Sequence, residues 1–279
     1  VSQSLSGRTA IVNLLPLSIS ELSRAGIQLD RDEYLFRGFM PQIYREGFSP
    51  TEFYRQYYHT YVERDIRQLA NIRNMTSFEN FFRLLAGRVG QVINMSALAS
   101  ATGMSVPTIK EWFSVLEASY LIFRLPPYYK NFGKRLIKSP KLYFTEPGLA
   151  AYLLGIREPK HISLGPFLGA LFENMLVMEA LKGRYNEGDD ANLYFYRDNN
   201  GLEADLLLDR FSSLLPIEIK ASRTFSKDFC NPLQDLRKIN PHIKSGIVLY
   251  AGALETEYKG FHIKNFIHTF DALKEQSVT

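Results

Sequence analysis

Three short strand-like runs crowd together between Asn192 and Lys220: NLYFYRD, EADLLLD and LLPIEIK. Runs of this length and composition commit the stretch to a sheet. A strong helix, GPFLGALFENMLVMEALKG over 165–183, precedes them. A helix near Pro232–Ile239 and the strand GIVLYAG follow. The expected order is therefore α-β-β-β-α-β. Glu218 and Lys220 are one residue apart and share a strand face opposite Ile217 and Ile219. Asp205 likewise opposes Ala204 and Leu206. Carboxylates on apolar strands are costly unless they lie at wet strand ends, are paired, or bind a metal.

If the second and third strands pair, Asp205 approaches Glu218 and Lys220 at one end. A divalent ion resolves the repulsion between the two carboxylates. Mg²⁺ or Mn²⁺ takes oxygen ligands, which Asp205, Glu218, the Ile219 carbonyl and water supply, with Glu173 adding a carboxylate from the preceding helix. Lys220 is then placed to orient or deprotonate an attacking water and to balance phosphate charge. That set suits metal-assisted phosphodiester hydrolysis, with Glu173, Asp205, Glu218 and Lys220 as the catalytic candidates. The competing reading is plain: E-x-K is a common tripeptide, and alone it is a solvated surface pair.

Composition narrows the classes. The chain has 279 residues, 46% of them apolar, enough for roughly two or three cores. No stretch approaches about eighteen uncharged apolar residues, so no membrane span is expected. The opening VSQSLSGRTAIVNLLPLS does not read as a signal peptide, and its missing initiator Met is expected of a fragment or processed product. Cys230 is the single cysteine, which excludes an internal disulfide and fits a reducing, cytoplasmic setting. A net charge of +4 permits a nucleic-acid partner without requiring one. The 20 Phe and 16 Tyr point to large aromatic cores or subunit contacts before base stacking.

Upstream, AIVNLLPLS reads as a strand and SISELSRAG as a short helix closed by Gly26. PTEFYRQYYHTYVERDIRQLANIR reads as a helix with an apolar stripe of Phe53, Tyr57, Tyr61, Ile66 and Leu69 and a shift near Tyr61. A second helix covers about Ser77 to Gly87. NMSALASATGMSVPTIKEWFSVLEAS then reads as helix, turn at Gly103, helix, with Ser96 and Ser105 as caps and Ile109, Trp112, Phe113 and Leu116 inward. YLIFRLPPYY and KLYFTE supply a two-stranded ribbon, so the unit is expected to be a winged helix. The segment KNFGKRLIKSPK carries Lys130, Lys134, Arg135, Lys138 and Lys141 and no acid. On a wing these residues straddle duplex phosphates while Thr108, Lys110 and Glu111 approach the groove. The alternative is a solvated hairpin docked on a neighbouring domain.

The ordered words LSGRTAIVNLLPLSISEL, YYHTYVERDI, FFRLLAGRVGQVINMSALASATGMSVPTIKEWFSVLEASYLIFRLPPYYKNFGKRLIKSPKLYFTEPGLAAYLLG, LFENMLVMEAL, YFYRDNNGLEADLLL and PIEIKAS resemble the C-terminal part of a prokaryotic family of AAA-type ATPases carrying a DUF4143 domain. The resemblance spans almost the whole chain. It implies an α/β multidomain protein: an edge of an ATPase core with connecting helices over 1–75, a winged helix over 76–158 and a PD-(D/E)xK restriction-endonuclease-like domain over 159–279. Glu173, Asp205, Glu218 and Lys220 match the nuclease-like positions, with Arg197, Glu203 and Ser222 in the words beside them. Two departures matter. The only Gly-Lys pair, Gly133-Lys134, lacks the rest of a Walker A loop, so ATP hydrolysis is not expected unless an upstream core supplies the nucleotide site. A word resembling GGFP stands here as RGFMP. Implied partners are double-stranded DNA, an ATPase core or a second copy of the chain. Two functions lead, a DNA-interacting, Mg²⁺- or Mn²⁺-dependent nuclease or a non-catalytic interaction module of an ATPase; a third, a transcriptional regulator, rests only on the helix-turn-helix and explains least of the chain.

Overall fold

A computed structural model describes residues 12–66, 72, 74–129, 138–210 and 212–275. The architecture is α/β, a helical N-terminal half followed by a mixed sheet flanked by helices. Helices α1 (Ile19–Arg24), α2 (Arg31–Arg37), α3 (Pro41–Arg45) and α4 (Pro50–Tyr57) come first. Ser18 opens α1 with a full capping box: its Oγ accepts from Glu21 N–H and Glu21 Oε2 accepts from Ser18 N–H. Residues 12–18 are not a strand, which corrects the expected run at AIVNLLPLS for its described part.

The shift near Tyr61 is a π-helical segment, Tyr58–Ile66, that continues α4. Its wider turn keeps the i+4 row Tyr54, Tyr58, Val62 and Ile66 on the buried face. Of the expected stripe, Ile66 is buried, whereas Phe53, Tyr57 and Tyr61 are half-buried one position beside the buried row, an offset already present at Phe53 and Tyr54 within α4. Leu69 lies outside the described residues.

Next come α5 (Met75–Ala86), α6 (Met95–Thr102) and α7 (Val106–Ala118). Asn94, not Ser96, caps α6: its Oδ1 accepts from Ala97 N–H at 2.9 Å. Gly103 ends α6 in the left-handed conformation, and Ser105 caps α7. Ile109, Trp112, Phe113 and Leu116 are buried as their spacing predicts. Trp112 packs edge-on against Phe78 of α5. The antiparallel ribbon of β1 (Ile122–Leu125) and β2 (Lys141–Phe144) follows, then α8 (Pro147–Leu153), α9 (Lys160–Leu164) and the long α10 (Leu168–Asn186).

The sheet holds β3 (Leu193–Arg197), β4 (Glu203–Asp209), β5 (Leu214–Lys220), β6 (Ile247–Tyr250), β7 (Thr256–Tyr258) and β8 (Phe261–Asn265) in the order β3-β4-β5-β6-β8-β7. The short gaps after β3 and β4 give antiparallel pairs. The helix α11 (Asn231–Ile239) carries the chain across to β6, which is therefore parallel to β5. The expected α-β-β-β-α-β order is present and is extended by β7, β8 and a last helix, α12 (Thr269–Glu275). Leu206, Ile217 and Ile219 join the core shared with α10, while Leu207 and Leu214 pack with Leu236 of α11. One buried apolar cluster runs from Ile19 to Leu273, so the two halves share a core.

Residues 90–93 run along β2 by backbone hydrogen bonds, and further contacts tie the ribbon to α10 and β3. Asn174 of α10, fully buried, accepts from Phe144 N–H at 2.7 Å and donates to Phe144 carbonyl at 2.9 Å. Beyond β1, Phe195 N–H donates to the Pro126 carbonyl and Tyr128 N–H to the Phe195 carbonyl, at 3.0 and 2.8 Å. The Pro126–Tyr128 segment thus lies along β3.

Candidate functional site

The register Leu206↔Ile217 carries one step on to set Asp205 opposite Glu218. At that step the ladder gives way to a side chain: Ile219 N–H donates to Asp205 Oδ2 at 2.8 Å. Lys220 folds back onto Glu218 and stands 3.9 Å from Asp205 Oδ2. Glu173 of α10 is close enough for the Asp205 charge to act on it. The structure thus brings Asp205, Glu218 and Lys220 together through strand alternation and register, with Glu173 added from α10.

A fifth group completes the cluster. Lys141, expected on the surface of a DNA-contacting wing, is instead 3% exposed. Its Nζ lies 2.9 Å from Glu173 Oε1 and 2.6 Å from Glu203 Oε1. As the first residue of β2 it points inward with Tyr143, whose hydroxyl donates to Glu173 Oε1 at 2.6 Å. This corrects the phosphate-contact role, because an enclosed ammonium held by two carboxylates cannot reach a duplex. Alternation sets residues 141 and 143 on one face of β2, a strand buried on both faces, and a count of charges along the run does not show that burial. Arg197 adds a partly exposed guanidinium 3.5 Å from Glu203 Oε2. Ser222 stays outside the cluster, its hydroxyl donating to the Thr224 carbonyl.

Of the other expected nucleic-acid contacts, Lys110 and Lys138 are exposed. Thr108 is half-buried and tied to the Ser105 cap, Oγ1 to Oγ at 2.8 Å. Lys130, Lys134 and Arg135 lie outside the described residues.

Four carboxylates meet two lysines and one arginine here, and the mismatch shows in their protonation. Burial, and then the Asp205 charge, raise the Glu218 carboxyl to about 8 despite Lys220 beside it. The same two causes raise Glu173 to about 6 against the pull of Lys141 and Tyr143. A raised carboxyl favours the protonated folded state, so its contribution is complete below the unfolded value near 4.5 and is lost as pH climbs through about 8. Glu218→Gln is therefore expected to raise the melting temperature at pH 8 and to flatten the stability profile between pH 5 and pH 8. Thermal melts of parent and variant across that range check this; an unchanged slope would count against a charge excess at Glu218.

The donor set is all oxygen, and one oxygen each of Glu173, Asp205 and Glu218 has no hydrogen-bond partner among the described residues. That chemistry fits a hard divalent cation. As the side chains stand, no three His, Cys, Asp or Glu residues among those described are grouped to hold a metal, since lysines occupy the intervening space.

Comparison with known proteins gives two family matches along the chain. Residues 28–160 match a domain of unknown function, DUF8612, and residues 168–268 match a domain of unknown function, DUF4143. The chain is similar to an uncharacterized protein of Mycobacterium bovis, 28% identical over 240 residues, 85% of this chain and 53% of that protein. The same values hold for an uncharacterized protein of Mycobacterium tuberculosis. The chain spans about half the length of these curated relatives. Glu173, Asp205, Glu218 and Lys220 fall inside the second match, whereas Lys141 and Tyr143 fall inside the first. The C-terminal region of this chain is a DUF4143 domain.

Proposed function

We propose that the chain is the DNA-interacting part of an AAA-type ATPase family protein. In this reading residues 76–158 form a winged helix, residues 159–279 form a PD-(D/E)xK nuclease-like domain, and the latter cleaves phosphodiester bonds with a divalent metal. The observation that carries it is the meeting of Glu173, Asp205, Glu218 and Lys220 at one sheet end with more negative charge than the cations beside them balance. Asp205, Glu218 and Glu173 hold Mg²⁺ or Mn²⁺, which when bound supplies Lewis acidity toward the phosphate. Asp205 also fixes the Ile219 backbone, and so the reach of its neighbours Glu218 and Lys220. Lys220, still one-third exposed, is the group with access to substrate and water. Lys110, Lys138 and the undescribed Lys130, Lys134 and Arg135 supply phosphate contacts, with Thr108 at the first turn of α7.

A second reading, a non-catalytic interaction module, is favoured by the pairing of the carboxylates with lysines. Calorimetric titration with MnCl₂ separates the two. The parent is expected to bind one or two ions saturably, and Asp205→Ala combined with Glu218→Ala to bind none while keeping its circular dichroism. Lys220→Ala is then expected to stay folded and lose cleavage across a panel of DNA and RNA substrates. A folded parent that takes up no Mn²⁺ moves the assignment to the interaction module.

A further inference from the structure

Part of the surroundings of Glu173 is built by residues that precede the DUF4143 match. Lys141 and Tyr143 both contact Oε1. A Cβ placed at Gly90 would lie 3.6 Å from each carboxylate oxygen, so the loop before α6 backs the group as well. The strand bearing Lys141 is held by the Asn174–Phe144 pair, and Asn174 is the next residue after Glu173. Helix α10 therefore presents the carboxylate and grips the strand that neutralises it.

Lys141 is no ordinary ion pair. Burial works against its charge, yet Glu173, Asp205 and Glu203 outweigh burial and raise its pKa. The field of Asp205 reaches it together with those of its two direct partners, so the ammonium sits within the charge of three carboxylates. A compact cation among oxygen donors meets the demand that a small divalent ion would meet. The Phe195 ring lies on another side of it, 5.5 Å from Nζ.

We propose that Lys141 is a tethered counter-cation of this site, competing with a divalent metal ion for Glu173 and thereby setting the metal concentration the site needs. This rests on the metal-binding reading above. It adds that the N-terminal half of the chain, through one side chain, governs loading of a centre whose acids all belong to the DUF4143 domain. Because Asn174 pins the strand, exchange is a swing of the Lys141 side chain, with Glu203 left to receive it.

MnCl₂ titration of the parent, of Lys141→Met, and of Lys141→Met with Glu203→Gln tests the competition. The single variant is expected to bind about tenfold tighter or more, the scale of removing one like charge from a partly buried site. The double variant removes the ammonium together with one of its carboxylates, and keeps the test open if the single variant does not fold. A parallel measurement needs only the parent. Lysine acylation read by mass spectrometry is expected to find Lys141 protected without metal and reactive at saturating Mn²⁺. Binding by the parent with equal or weaker affinity in the variants, or unchanged protection of Lys141, overturns the counter-cation and leaves the metal reading standing. Absence of Mn²⁺ binding in every form overturns both.

Discussion

Gly38→Ala is expected to destabilise the chain by more than about 4 kcal/mol, enough to leave little folded protein at 37 °C. Gly38 ends α2 with φ of 67°, in the RGFMP word. A Cβ there would stand 1.9 Å from Glu146 Oε1 and 2.2 Å from the Tyr54 hydroxyl. Neither can retreat. Glu146 is buried and accepts from Phe39 N–H at 3.0 Å and Gly148 N–H at 3.0 Å. The Tyr54 hydroxyl donates to the Arg37 carbonyl at 2.8 Å. The word RGFMP and the word TEPG therefore meet at one buried carboxylate, which explains why a glycine stands between Arg37 and Phe39. Gly26→Ala is the control. It shares a positive φ, of 78°, but has nothing within 4 Å, so only the backbone cost of about 1–2 kcal/mol applies. Urea melts of the two variants should differ widely in midpoint; similar midpoints would remove the steric argument.

Lys182→Met is expected to lose about 3–5 kcal/mol, the cost of stripping a buried pair of one partner. Lys182 is 1% exposed; its Nζ donates to Glu179 Oε1 at 2.8 Å and the Leu17 carbonyl at 2.7 Å, and lies 3.9 Å from the centre of the Phe39 ring. Burial raises the Glu146 carboxyl, and Lys182 is the largest influence opposing that. Removing the ammonium thus leaves two buried acids without it. Adding Glu179→Gln should recover part of the loss, because an amide oxygen can still accept from Ile19 N–H, now bonded to Glu179 Oε2 at 2.8 Å. No recovery in the double variant would mean that the loss comes from packing on Phe39 rather than from unpaired charge. In either case the denaturant slope should stay constant while the midpoint moves.

The legible parts of the sequence are those where local period and burial agree. Alternation in EADLLLD and LLPIEIK gave the strands and the shared end of Asp205, Glu218 and Lys220. The spacing of Ile109, Trp112, Phe113 and Leu116 gave the inner face of α7. What stayed hidden depends on partners far along the chain. Lys141 looked like one charge in a basic run, and only its pairing with Glu173 and Glu203 shows it to be interior. Asn174 carries no local signal because it serves a distant strand, and the cap position of Glu146 before Pro147 and Gly148 does not reveal its second bond, to Phe39 N–H. Strand β8 alternates over only four residues, Phe261 to Lys264, and β7 is too short to announce itself. The Tyr61 shift shows in the sequence as a break in period and in the structure as the π segment, while the buried row starts one residue on from Phe53, at Tyr54.

The Pro126–Tyr128 segment along β3 has a consequence for how the chain behaves in company. An open sheet exposes two rows of unpaired amides that invite strands from other molecules. Here one row is engaged at Phe195 by a segment that includes proline, which has no amide to offer a newcomer. The opposite row belongs to a strand of three residues, Thr256–Tyr258, too short to template much. Folding of the ribbon thus doubles as protection against strand exchange: a molecule whose sheet forms before its ribbon docks passes through a stage with β3 bare, and that is the stage at which swapped dimers and aggregates would arise.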